Sequence, residues 1–147
     1  MSASDGLNGF HAVAFSAVSL EQSREAVERL LADILKVSQE AALHQPQVHL
    51  IAPEKNSISR KQVTNVLHEL SLTGAGGDAR YVVIEHAHEL TPEAANALLK
   101  SLEEPPAGVR FYLTTPSAAR LLPTIRSRVI IRSLTAEEQA VSGEIAT

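Results

Sequence analysis

Apolar residues along this chain recur with two periods. Short continuous or alternating runs, FHAVAF (10–15), VHLIA (48–52), YVVI (81–84), VRFYLT (109–114) and VIIR (129–132), predict five strands. Between them the spacing turns helical: Val27, Leu30, Leu31, Ile34 and Leu35 share one face, as do Val63, Val66, Leu67 and Leu70, and then Leu98, Leu99 and Leu102. Polar residues mark where these helices begin. Ser19 with Gln22, Ser59 with Gln62 and Thr135 with Glu138 have the spacing of a capping box, in which each end satisfies the other's free amide. Thr91 stands before Pro92 and Glu93, a proline at the first helical position and an acid in the first turn. Pro105 and Pro106 end that helix, because neither can donate a backbone hydrogen bond. The stretch SAARLLPTIRSR (117–128) predicts one or two short helical turns broken at Pro123.

Strands alternating with helices imply a parallel sheet, and YVVI, apolar on both faces, fits a sheet covered on each side. The expected fold is therefore a three-layer α/β domain with right-handed crossovers. Its 147 residues form one domain, able to bury about two-thirds of the surface of the unfolded chain. In such folds ligands bind beyond the carboxyl ends of the strands, which places Ser16, Glu85 to His88 and Thr114 to Ser117 at the functional edge.

Composition narrows the chemistry. With no cysteine there is no disulfide, thiolate ligand or cysteine nucleophile. The N-terminal MSASDGLNGF lacks a basic start, and no apolar run approaches the ~20 residues a membrane span needs, so a soluble cytoplasmic protein with no membrane partner is expected. A net charge of −4, from 13 basic and 17 acidic residues, argues against a domain that sheathes nucleic acid by overall charge. The charges are nonetheless segregated. Arg110, Arg120, Arg126, Arg128 and Arg132 lie in a stretch free of acids, which is either a solvated surface or a phosphate-facing, DNA-contacting patch.

The stretch VVIEHAHEL (82–90) carries the densest candidate chemistry. His86 and His88 are two apart, sharing a face in extended backbone and pointing nearly opposite ways in a helix. Zinc wants three or four ligands, and with no cysteine and no H-E-x-x-H spacing no metal site is expected. The alternative is a histidine-dependent metal-binding or hydrolytic enzyme built on Glu85, His86 and His88. His11, His44, His49 and His68 are scattered, and no G-x-S-x-G is present. The glycine-rich TGAGGDA (73–79) follows a helix and precedes a strand, the reverse of a phosphate cradle. A phosphate-binding loop G-x-x-x-x-G-K-[ST] belongs after the first strand, where SAVSLEQSRE (16–25) has neither glycine nor lysine, so no nucleotide cofactor is expected.

The segments HLIAPEKNSISRKQV (49–63), ELTPEAANALLKSLEEPP (89–106), FYLTT (111–115) and LLPTIRSR (121–128) resemble, in order, the AAA+ domain of bacterial DNA polymerase III clamp-loader subunits, the delta-prime type above all. AANALLKSLEEPP is the most specific of them, and weaker similarity at FHAVAF extends the resemblance over nearly the whole chain up to about Leu134. It implies a P-loop-NTPase-like fold with a five-stranded parallel sheet, here lacking the phosphate-binding loop. The family's acidic D-E-A-D-like motif is matched by Glu85, His86, Ala87 and His88, a degenerate Walker B in which histidine replaces the catalytic carboxylate. Thr115 matches the sensor-1 position. Ser127 and Arg128 match the S-R-C motif, whose arginine reaches the ATP site of a neighbouring subunit. The cysteines of the family's small zinc module have no counterpart, nor do its lid and collar, so residues 1–147 are expected to be one AAA+-like domain. The implied role is that of a catalytically silent structural subunit or stator in DNA replication, with other clamp-loader AAA+ subunits as partners and primer-template DNA reached through the complex.

Overall fold

β-branched and aromatic runs form strands because alternate side chains can be buried on opposite faces of a pleated sheet. In the computed structural model, which describes residues 11–72 and 78–134, five such runs are strands: β1 (Ala12–Ser16), β2 (Val48–Ile51), β3 (Arg80–Ile84), β4 (Val109–Thr115) and β5 (Ile130–Ser133). All four pairings are parallel, and the order across the sheet is β2-β3-β4-β1-β5. Each expected strand is present with its ends displaced by a residue or two. Phe10, residues 73–77 of the glycine-rich run and the Thr135/Glu138 capping box lie outside the described residues.

Alternation divides the core in two. On one face Ala12, Ala14, Val82, Ile84, Phe111 and Leu113 meet helices α2 (Arg60–Leu72), α3 (Pro92–Glu103) and the short α4 (Pro123–Arg126). On the other, Val13, Phe15, Tyr81, Val83 and Tyr112 meet α1 (Leu20–Leu35) through Val27, Leu30 and Leu31. A 3₁₀ helix at Gln39–His44, which periodicity does not mark, adds Ala42 and Leu43 to that layer. β3 is buried at every position, as both-face apolarity requires.

Caps set the helix starts. Ser19 Oγ accepts from the Gln22 amide at 3.1 Å, and Thr91 Oγ1 accepts from the Ala94 amide at 3.0 Å. The Ser59 and Gln62 pair closes reciprocally: the Gln62 amide donates to Ser59 Oγ at 3.2 Å, and the Ser59 amide donates to Gln62 Oε1 at 2.9 Å. Gln62 Nε2 also donates to the Ala52 carbonyl at 2.7 Å, tying the start of α2 to the residue after β2. The stretch 117–128 forms the two short turns expected, a 3₁₀ turn at Ala118–Arg120 and α4, with Pro123 as the first residue of the second.

Leu98 lies fully buried where α3 meets the sheet. Leu98→Ala is expected to cost about 2–5 kcal/mol through lost burial plus a residual cavity, whereas Thr91→Ala is expected to cost about 1 kcal/mol through the lost cap. Urea unfolding of the two variants measures both; equal losses would contradict this division between core and cap.

Candidate functional site

β3 is followed at once by Glu85, whose amide donates to the Ile51 carbonyl at 2.9 Å and whose side chain is nearly closed off from solvent. A carboxylate this buried needs a counter-charge. Arg24 of α1 supplies it, with Nε 3.0 Å from Glu85 Oε2, an ion pair that lacks the alignment of a directed hydrogen bond. Arg24 also reaches Glu28 at 3.6 Å, one helical turn on. Ala17, Val18 and Ser19 alone connect β1 to α1, so Arg24 lies early in a helix that begins almost directly at the sheet edge.

The chain then turns sharply. His86 adopts the left-handed conformation, φ 54° and ψ 52°, uncommon for a residue with a Cβ. Its amide donates to Thr114 Oγ1 at 3.0 Å, across to the end of the neighbouring strand. Ala87–Glu89 form a 3₁₀ turn closed by the Glu89 amide on the His86 carbonyl at 2.8 Å. Beyond it, Ile58 brackets the chain: its amide donates to the Glu89 carbonyl at 2.9 Å, and the Thr91 amide donates to the Ile58 carbonyl at 3.1 Å.

This backbone corrects the expectation that His86 and His88 face together only in extended chain. The left-handed residue followed by a 3₁₀ turn swings both rings to one side, with centroids 5.3 Å apart and planes inclined by 30°. His88 Nε2 lies 3.5 Å from Glu89 Oε2, while His88 Nδ1 is buried without a hydrogen-bond partner. Burial pushes the His88 imidazole below its ordinary pKa and the Arg120 cation adds to that, against an opposing pull from Glu89. His88 therefore favours its neutral form.

The other expected residues lie apart from this turn or face inward. Thr115 is buried, and its hydroxyl is engaged with Ser117, donating to the carbonyl at 2.9 Å and accepting from the amide at 3.3 Å. Ser127 ends α4, and Arg128 follows it. Arg128 Nε donates to Glu103 Oε2 of α3 at 2.6 Å, and one terminal nitrogen donates to the Thr124 carbonyl at 2.8 Å and to Ser127 Oγ at 3.2 Å. Its contacts run to α3 and α4, not to the β3 end. The remaining arginines are spread over separate elements: Arg110 in β4, Arg120 in a 3₁₀ turn, Arg126 in α4 and Arg132 in β5. Sequence reasoning missed Arg24 and Glu103, the two charge partners, since neither lies in a motif and each meets its partner only through the fold.

A family model described as "DNA polymerase III, delta subunit" matches residues 9–138, a span that takes in all the described residues and every site residue named above. The chain belongs to that family. The DNA polymerase III subunit delta' of Escherichia coli (strain K12) is 45% identical over 85 residues, and that of Bacillus subtilis (strain 168) is 41% identical over 83. Each match covers 56% of this chain and 25% of the relative, so the chain spans about a quarter of the length of these relatives. A DNA polymerase III gamma subunit-related protein from Thermotoga maritima superposes with a TM-score of 0.73 at 27% identity, covering 88% of this chain and 43% of that one. The RuvB protein of the same organism, as the T158V variant, shares the fold alone, with a TM-score of 0.62 at 15% identity over 87% of this chain and 40% of its own. The architecture is thus the AAA+ type of P-loop α/β domain.

Thr114 anchors the left-handed residue His86. Thr114→Val keeps the side-chain volume but leaves the His86 amide without its acceptor, at an expected cost of about 1–3 kcal/mol. Displaced His86 and His88 ring signals in the NMR spectrum should accompany that loss, and unchanged stability with unchanged signals would show that Thr114 does not hold the turn.

Proposed function

We propose that this chain acts as a catalytically silent delta-prime-type subunit of a clamp loader in DNA replication, a cytoplasmic stator that neither binds nor hydrolyses ATP. The observation that carries this reading is the β1–α1 connection. Ala17, Val18 and Ser19 leave no room for a loop whose amides wrap a phosphate chain, contain no glycine, and are followed by no lysine in the first turn. Glu85, the acid that remains of the Walker B positions, is already neutralised by Arg24 of the same chain rather than exposed to a metal-bound nucleotide.

Arg128 is the group such a subunit offers its neighbours. A guanidinium presented in trans stabilises the charge that develops on a transferred phosphoryl group. Arg128 is parked on Glu103, whose side chain is half exposed, and a pair of this exposure is worth about 1 kcal/mol or less. Release toward an anion on an adjoining subunit therefore costs little, and α4 with Ser127 keeps the arginine positioned until then. The partners on this reading are other clamp-loader AAA+ subunits, with primer-template DNA reached through the assembled complex.

Two measurements test the reading. When the chain is reconstituted with the ATP-hydrolysing clamp-loader subunits of the same genome, Arg128→Ala is expected to lower the ATPase rate about tenfold or more. Glu103→Gln, which frees the arginine, should preserve it. Equal rates for wild type and Arg128→Ala would remove the arginine from the mechanism, and micromolar ATP binding by the isolated chain would end the claim of silence.

A further inference from the structure

We propose that His86, His88 and Glu89 bind a divalent first-row transition-metal ion, with Zn²⁺ the best match. The site rests on the geometry of the turn after β3 alone and holds whatever complex the chain enters. One nitrogen from each histidine and one carboxylate oxygen of Glu89 lie within 4.8 Å of one another. Tetrahedral zinc with bonds of about 2.1 Å sets its ligand atoms about 3.4 Å apart, so binding draws the widest-spaced of these atoms together by about 1.4 Å at most. Two imidazoles and one carboxylate suit zinc and its first-row neighbours, and disfavour magnesium and calcium, which take oxygen ligands.

Two further observations point the same way. His88 Nε2 lies 3.5 Å from Glu89 Oε2, close to the ligand spacing of about 3.4 Å in tetrahedral zinc, and the His88 side chain is only 5% exposed, so little water competes for an ion there. The second observation is the left-handed backbone at His86. Such a conformation costs a non-glycine residue of order 1–3 kcal/mol, and here its effect is to bring two imidazoles, which sequence spacing alone does not align, to one side. Arg120 carries the opposing charge, since its field acts on His88, whereas the carboxylate of Glu89 favours a cation. A set of three protein ligands leaves the fourth position to water or to a group from outside the chain.

The untagged chain, stripped with a chelator, is titrated with Zn²⁺ by calorimetry, and with Co²⁺ while the visible spectrum is recorded. One ion per chain and an intense tetrahedral cobalt spectrum are expected. His88→Gln and Glu89→Gln should each weaken Zn²⁺ binding about tenfold or more, as should His86→Asn, which retains a residue tolerant of the left-handed backbone. His68→Gln, on the exposed side of α2, should bind as wild type does. If circular dichroism shows that His88→Gln fails to fold, His86→Asn and Glu89→Gln decide, together with Zn²⁺-induced shifts of the His86 and His88 ring signals in the wild-type spectrum. A stoichiometry other than one, binding indifferent to His86→Asn and Glu89→Gln, or unmoved ring signals would each overturn the site.

Discussion

A carboxylate at the end of a strand buried on both faces cannot remain there without a cation, and the ion pair of Glu85 with Arg24 meets that requirement. The pairing sets more than a local charge. It fixes the rotation of α1 against the sheet, since Arg24 must lie over the β3 end while Val27, Leu30 and Leu31 pack on Val13, Phe15 and Tyr112. It also occupies the space over the carboxyl edge with a side chain of the same molecule. The short β1–α1 connection and the salt bridge are in this sense one feature: the helix starts close to the sheet, so its first turns come near enough for Arg24 to reach Glu85.

Much of the architecture was legible because it depends on local pattern. Five apolar runs gave five strands, YVVI gave a strand buried on both faces, and Ser59 with Gln62 gave a reciprocal cap. The 3₁₀ helix at Gln39–His44 left no trace in the periodicity because it is too short to display a repeat. Strand order was not legible either, since parallel pairing is set by which crossovers pack and not by any one strand's residues. Glu85, His86, His88, Thr115 and Arg128 were singled out by position along the chain. Their partners were not, because Arg24 and Glu85, or Glu103 and Arg128, meet only after the chain has folded.

The two arginines illustrate how burial decides the role of an ion pair. Arg24 faces a carboxylate that is nearly inaccessible, so losing Arg24 strands a buried charge, and the pair is structural. Arg128 faces a carboxylate at the surface, so water compensates when the pair opens, and the arginine can be exchanged to another anion at little cost. The same residue type, bound to the same partner type, is therefore committed in one place and available in the other.

The turn after β3 shows how a histidine pair comes to be held where spacing alone does not align it. The His86 amide is bound to Thr114, and the backbone around Leu90 is bracketed on both sides by Ile58. Both anchors act on main-chain or strand-end groups, so the approach of the two rings is imposed by backbone ties and owes nothing to attraction between imidazoles. Neutral His88 is consistent with that, since two cationic rings 5.3 Å apart would repel. The curvature of this turn is set by its ties to the sheet, and that curvature gives the nitrogen donors of His86 and His88 a common side.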